Sequence, residues 1–310
     1  MNRRKWYSRL LCAALLLLML LPAHADMGPK PSVVINLEHG PESPCYVTLL
    51  SIRYSTGPAS SIYRPGPDGV REETPSGYPD FHLEGSEYDV YLAFRAYEEQ
   101  DPDRLYFLQE FALAEDGFYR WGYYPPERFK VLLYFPEMEA FAVTEELLDR
   151  YAFDSYFTID LSGVDLIPGG TVTSLNAVKS YDYTWELISL AARVVLTIGV
   201  ELAIAWWFGF RARKQLILIL AVNFVTQFGL NLALNIRAYQ KGTLFILIPF
   251  LWMEIGVTLV EWIVYRRELP RLAGTGRAES KKRVLAYAVA ANAVSLVLGW
   301  ILAHVIPGIF

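Results

Sequence analysis

Cysteine and histidine are scarce in this sequence, at two and four residues in a chain of 310. Cys12 falls inside an N-terminal stretch with the marks of an export signal, so the mature chain is expected to keep one thiol, Cys45. That arithmetic excludes an internal disulfide and a Cys/His zinc site. Cys45 is expected to be buried and inert, with intermolecular pairing as the alternative. Beyond the signal only His39, His82 and His304 remain, and there is no His-x-x-x-His, no Gly-x-Ser-x-Gly and no Gly-rich phosphate loop. No catalytic residue, metal ligand or cofactor is therefore assigned. One Asp101-x-Asp103 pair is a weaker sign of calcium than of a solvated turn. Charge is sparse as well: 20% of residues are charged and 53% hydrophobic, more apolar than most soluble chains.

The opening residues MNRRKWYSRLLCAALLLLMLLPAHAD combine a cationic start (Arg3, Arg4, Lys5, Arg9), a short apolar core and Ala23-His24-Ala25. This is the pattern of a signal peptide over residues 1–25, too short to span a bilayer comfortably and followed at once by Pro22 and small residues. The net charge of −5 hides an asymmetry. Residues 26–180 hold 26 acidic and 11 basic side chains, giving −15, whereas residues 181–310 hold 7 and 13, giving +6. So acidic a first half argues against nucleic acid or anionic lipid as its partner.

Four apolar runs occupy the second half, at about residues 185–210, 215–236, 243–264 and 284–306. Each is long enough to span a membrane once, since about 20 helical residues cover the hydrocarbon. An exported N-terminal domain places the connections bearing Arg211, Arg213, Lys214 and Arg266, Arg267, Arg271, Arg277, Lys281, Lys282, Arg283 in the cytoplasm, as the positive-inside bias requires, and the C-terminus outside. The expected localisation is a multi-pass cell membrane protein.

The second run carries Asn223, Gln227, Asn231 and Asn235 at an unbroken spacing of four. That spacing drifts about 40° per step and follows the ridge along which helices pack, and lipid offers amides no hydrogen bonds. Counting about 1.5 Å per residue from each run's inner end sets Glu201, Asn223, Glu254 and Asn292 about 12 to 15 Å up, near the midplane. Glu201, Asn223, Gln227, Asn231, Glu254 and Asn292 thus form a candidate intramembrane polar site. Two readings are open: a hydrogen-bonded layer that holds the bundle together, or a polar cavity for a cation, a proton or a polar substrate. Glu261 is expected to pair with Arg266 and Arg267 at the inner boundary, and Arg193 to snorkel outward or pair with Glu186.

Residues 26–161 show period-two alternation in short runs separated by HGPESP, AEDG, YPPE and PEM, which predicts an antiparallel β-sandwich-like extracytoplasmic domain. Short helices are expected near 87–100 and 145–151, an exposed loop over 55–80 and a linker over 162–183. Aromatics crowd GFYRWGYYPPERF. Tyr119, Trp121, Tyr123 and Tyr124 fill a core or pair across strands, or else make a surface for an envelope protein, peptide or glycan.

The stretches MGPKPSVVINL, CYVTLLS, STGP, YYPPERFKVLLYFP, YAFDSYFTIDLSG, VTQFGLNLALN and EIGVTLVEWIVYRR resemble an uncharacterised family of membrane proteins from Gram-positive anaerobic bacteria. The resemblance covers about residues 26–267. It implies a signal, an extracytoplasmic domain and a C-terminal multi-helix membrane domain, and brings no activity or site residues. The leading expectation is a non-enzymatic envelope binding or sensing protein. The alternative is a small transporter or ion-coupled protein that uses the midplane carboxylates and amides.

Overall fold

Alternating apolar and polar residues suit a pleated strand whose two faces meet different surroundings. The computed structural model describes residues 28–40, 43–66, 70–74, 85–242, 247–273 and 280–305; the signal expected at 1–25 lies outside them. The strands are β1 (Ser32–Glu38), β2 (Tyr46–Ser51), β3 (Tyr63–Pro65), β4 (Arg71–Glu73), β5 (Tyr106–Leu113), β6 (Phe118–Trp121), β7 (Arg128–Phe135), β8 (Ala140–Thr144), β9 (Leu148–Asp149), β10 (Asp154–Asp160), β11 (Thr171–Leu175) and β12 (Ala177–Lys179), with helix α1 (Ser86–Gln100) between β4 and β5. One sheet has the order β12-β10-β1-β6 and another β11-β8-β7-β2-β5, with β9 on the end of β7; β3 and β4 form a separate ribbon.

β7 shows how the layers arise. Phe129, Val131, Leu133 and Phe135 face one way, into a buried cluster that also holds Val33 and Ile35 of β1, Tyr119 and Trp121 of β6, and Phe157 and Ile159 of β10. Both sheets therefore supply one core. Leu132, pointing the other way, joins Leu50, Phe107 and Val143 under Val90, Tyr91 and Phe94 of α1. Each fully buried side chain of this size is worth about 1.5–3 kcal/mol in area removed from water.

Three expectations are corrected here. The pairing is not wholly antiparallel: β1 runs parallel to β10, and β11 parallel to β8. The stretch 162–183 is not a plain linker, because β11 completes one sheet and β12 the other, Leu175 and the half-buried Val172 and Ala177 reaching the shared core. The helix expected at 145–151 is instead β9, held by Leu148 against the core and by Arg128 Nε on Asp149 Oδ1 at 2.8 Å. The loop over 55–80 contains the β3–β4 ribbon, while α1 lies where the sequence predicts a helix.

The C-terminal part consists of α2 (Thr184–Trp207), α3 (Arg213–Lys241), α4 (Leu247–Leu272) and α5 (Lys281–Val305), packed as a ring in which each helix touches the next and α5 returns to α2. Among the described residues three helices are long and apolar enough to cross a membrane: α2, α3 and α5 up to Gly299. The sequence reading counted four; α4 falls outside the three. It holds Glu254 and Glu261 in its apolar stretch and runs on through Arg266, Arg267, Glu268 and Arg271.

The two parts meet at an aromatic junction. Phe153 N donates to Tyr239 O at 2.7 Å, and Tyr181, Tyr183 and Tyr239 pack ring to ring with centroids 4.7 to 5.9 Å apart. Gly242 ends α3 at φ 76°, where a Cβ would lie 2.7 Å from the Phe153 ring. At the opposite end Arg283 of α5 donates to Phe208 O beyond the last turn of α2, satisfying a carbonyl that the helix leaves open.

Candidate functional site

The amide row of α3 faces inward. Asn223, Gln227 and Asn231 are at most 5% exposed and Asn235 is half-buried, whereas Phe224, Val225, Phe228 and Leu232 are exposed. This is the stripe that a spacing of four produces when one ridge packs on neighbours and the rest of the helix does not.

Glu201 (α2), Asn223 (α3), Glu261 (α4) and Asn292 (α5) are all buried, and each helix supplies one. Asn292 Nδ2 donates to Glu261 Oε2 at 2.7 Å and Thr226 Oγ1 to Glu261 Oε1 at 2.8 Å. Asn223 Nδ2 donates to Ile219 O and to Tyr265 Oη, each at 3.0 Å. Glu201 lies beside Asn223 and within electrostatic reach of Glu261 and Glu254. Both Glu201 oxygens, Asn223 Oδ1 and Asn292 Oδ1 are buried without a hydrogen-bond partner. Buried polar atoms ordinarily find partners, so four without one in a single layer set it apart from the packed core below.

Beneath this layer, away from the junction, the helices close on Ala205, Phe210, Ile219, Tyr265, Leu269, Val284, Tyr287, Ala288 and Ala291. Above it they part. A cavity of about 830 Å³ runs from Phe153, Asp154 and Tyr181 at the junction, past Arg193, Asn235 and Asn231, to Gln227 and Glu254. Its wall carries Arg193 Nη2 on Asn235 Oδ1 at 2.8 Å, with Tyr181 Oη on Glu186 Oε1 at 2.5 Å near its mouth. Glu254, half-buried with its Oε2 unpartnered, also borders a second hollow of about 420 Å³ between α4 and α5 that reaches Asn292.

The sequence-based layer is thus corrected in one member. Glu261 stands level with Glu201, Asn223 and Asn292, and Glu254 lies two turns nearer the junction, lining the cavity. The expected pairing of Glu261 with Arg266 and Arg267 does not occur; its carboxyl bonds Thr226 and Asn292. α4 continues to Leu272, so counting depth back from residue 264 set both acids too shallow. Tyr265 reads from the sequence as part of an aromatic belt at the inner boundary but is buried against Asn223, and Tyr287 carries no signal because an aromatic in an apolar run looks like a packing residue. Arg193 bonds Asn235 and Ser189 O, not Glu186.

In the sheet region Tyr119 and Trp121 are 2% exposed and belong to the core, so they form no surface. Only Tyr123 and Tyr124 are open, meeting edge to face at 5.0 Å with Lys30 over both rings. Cys45 is buried, which pushes its thiol up to about 12 and keeps it unreactive. Among the described residues no group of three His, Cys, Asp or Glu side chains is placed to hold a metal ion.

Fold and site together define a sheet-rich region joined to a helical part that is able, by length and composition, to enter a membrane and that encloses a polar layer under a cavity. No protein-family model matches the chain, and no curated protein matches it.

Proposed function

We propose that this chain is a multi-pass membrane protein in which a four-helix bundle, α4 included, binds a small amphiphile in the cavity, and a two-sheet β-sandwich outside the cell senses its presence. The observation that carries this reading is the cavity itself, which opens beside the junction and ends at Glu254. Leu196, Leu230, Leu234, Leu251 and Leu296 offer apolar wall, while Glu254 lines the far end. Pockets of this volume, apolar with a few convergent polar groups, suit small ligands. A cationic or hydrogen-bond-donating head meets Glu254 and an apolar body lies along the leucines. Because the mouth touches Phe153, Asp154 and Tyr181, an occupant changes the contacts on which the β region rests.

The orientation follows from charge. Arg211, Arg213 and Lys214, with Arg266, Arg267 and Lys281 to Arg283, cluster at the end away from the β region, and a signal-directed export of the N-terminal part agrees with that bias. A role in ion-coupled transport is the second reading, favoured by the layer of buried carboxyls below the cavity. The family resemblance supports the same layout and adds no chemistry.

The test uses a brominated alkyltrimethylammonium amphiphile with the full chain in lipid nanodiscs. Trp185 lines the cavity, so saturable quenching of tryptophan fluorescence is expected, with at least a tenfold weaker apparent affinity in Glu254→Gln. Quenching that does not saturate, or is unchanged in Glu254→Gln, overturns the reading.

A further inference from the structure

The two carboxyls at the bottom of the site differ in how they are held. Glu261 has both oxygens within hydrogen-bond distance of a donor, Asn292 Nδ2 and Thr226 Oγ1, and with the single Thr226 proton turned to Glu261 rather than to Val222 O this is the environment of an ionised carboxylate. Glu201 is 0% exposed and neither of its oxygens meets a donor at bonding geometry; the Asn223 amide beside it is committed to Ile219 O and Tyr265 Oη.

Among the described residues the surroundings supply no counter-charge. On α2 the nearest cation in sequence is Arg193, about two turns toward the junction and engaged with Ser189 O and Asn235. α3 contributes Asn223, Thr226 and Gln227, none of them ionisable. α4 contributes Glu254, Glu261 and Tyr265, and α5 Tyr287, whose hydroxyl points to Glu201 O at 3.4 Å, and Asn292. Two carboxyls in mutual reach without a cation cannot both ionise, and burial makes the bare one the costlier to charge.

We propose that Glu201 and Glu261 share a single proton, carried on Glu201, and that Glu254 is the group through which this proton exchanges with the cavity. Glu261 stays ionised because its hydrogen bonds favour the charged form. On release, the O–H bond of Glu201 breaks, the proton is carried by intervening water to the Glu254 carboxylate two turns away at the end of the cavity, and Glu201 is left as a carboxylate beside Glu261. On uptake the same path runs backward. Such a pair titrates as a unit. The further step, that a cationic head at Glu254 hinders proton return, rests on the ligand-binding reading above; the shared proton does not.

Infrared difference spectroscopy on the full chain in nanodiscs, with ¹³C-labelled glutamate, tests this directly. The expected result is a protonated-carboxyl C=O band at neutral pH that persists in Glu98→Gln, and so does not come from Glu98, shifts with the label, vanishes in Glu201→Gln, and titrates at least one pH unit lower in Glu261→Gln, where the neighbouring charge is gone. In Glu254→Gln the band should remain while its exchange in D₂O slows at least threefold. Absence of the band from the wild-type protein, its survival in Glu201→Gln, or an unchanged midpoint in Glu261→Gln overturns the proposal. So does a midpoint that moves when Na⁺ replaces choline, since the site then holds an alkali ion. The wild-type and Glu261→Gln spectra decide the matter even if Glu201→Gln fails to fold. Failure of the amphiphile to bind, with the band present, removes the ligand reading alone.

Discussion

Glu98 shows what one buried charge does to this protein. Its side chain is 0% exposed on α1, accepts from Ser61 Oγ at 2.7 Å, and stands 3.8 Å from Arg71 Nη1 on the β3–β4 ribbon. Burial pushes its carboxyl up to about 7, the Ser61 hydroxyl and Arg71 offsetting part of the rise. A folded-state value raised above the ordinary 4.5 means that the neutral acid is favoured in the fold. The stabilisation is therefore complete below about pH 4.5 and is lost as pH climbs through about 7. Glu98→Gln is expected to flatten the pH dependence of thermal stability between pH 5 and 8 by about 1–3 kcal/mol. An unaltered slope in melting curves would count against this assignment. Glu98 was not legible in a segment so rich in acids, whereas Glu201, Asn223 and Asn292 were, because a polar residue stands out in an apolar run. Trp121 and Tyr119 show the opposite limit: alternation tells that two side chains share a face, not which face is wet.

Helix α4 and strands β11 and β12 mark where pattern and structure parted. Apolar periodicity located all four helices, but Tyr265 and Leu269, both buried, extend the packed face of α4 past the residue where charge sets in. Hydropathy ends a segment where charge begins; packing ends it where contacts stop. β11 and β12 hid for a related reason, since SGVDLIPGG carries strong turn signals while the short strands after it gain their order from distant partners on β8 and β10. α1 was legible because its apolar stripe and length agree. Phe94 is its anchor, with ring contacts to Phe107, Phe111, Tyr134 and Phe141. Phe94→Ala should cost about 3–5 kcal/mol, as large-to-small changes of a buried aromatic do. Limited proteolysis within α1 and a lowered melting temperature are the expected readouts; wild-type resistance would mean that α1 is not part of the core.

The chain as assembled joins two regions of opposite charge through tyrosines, with the polar groups of the helical part gathered on its inside. Under the proposed membrane placement the reason is the one already visible in the amide row: hydrocarbon gives amides and carboxyls no partners, so they turn to one another. The cavity itself was not legible, because it depends on how far apart four helices stand. Thiol accessibility in bilayers tests the arrangement most directly. In a Cys12→Ser, Cys45→Ala background, single cysteines at Thr197 and Asn235, which line the cavity, are compared with one at Val195, which is 70% exposed on the outer wall of α2. A membrane-impermeant methanethiosulfonate applied from the side of the β region is expected to label Thr197→Cys and Asn235→Cys and to leave Val195→Cys unlabelled. Labelling of Val195→Cys with the other two inert would contradict the account.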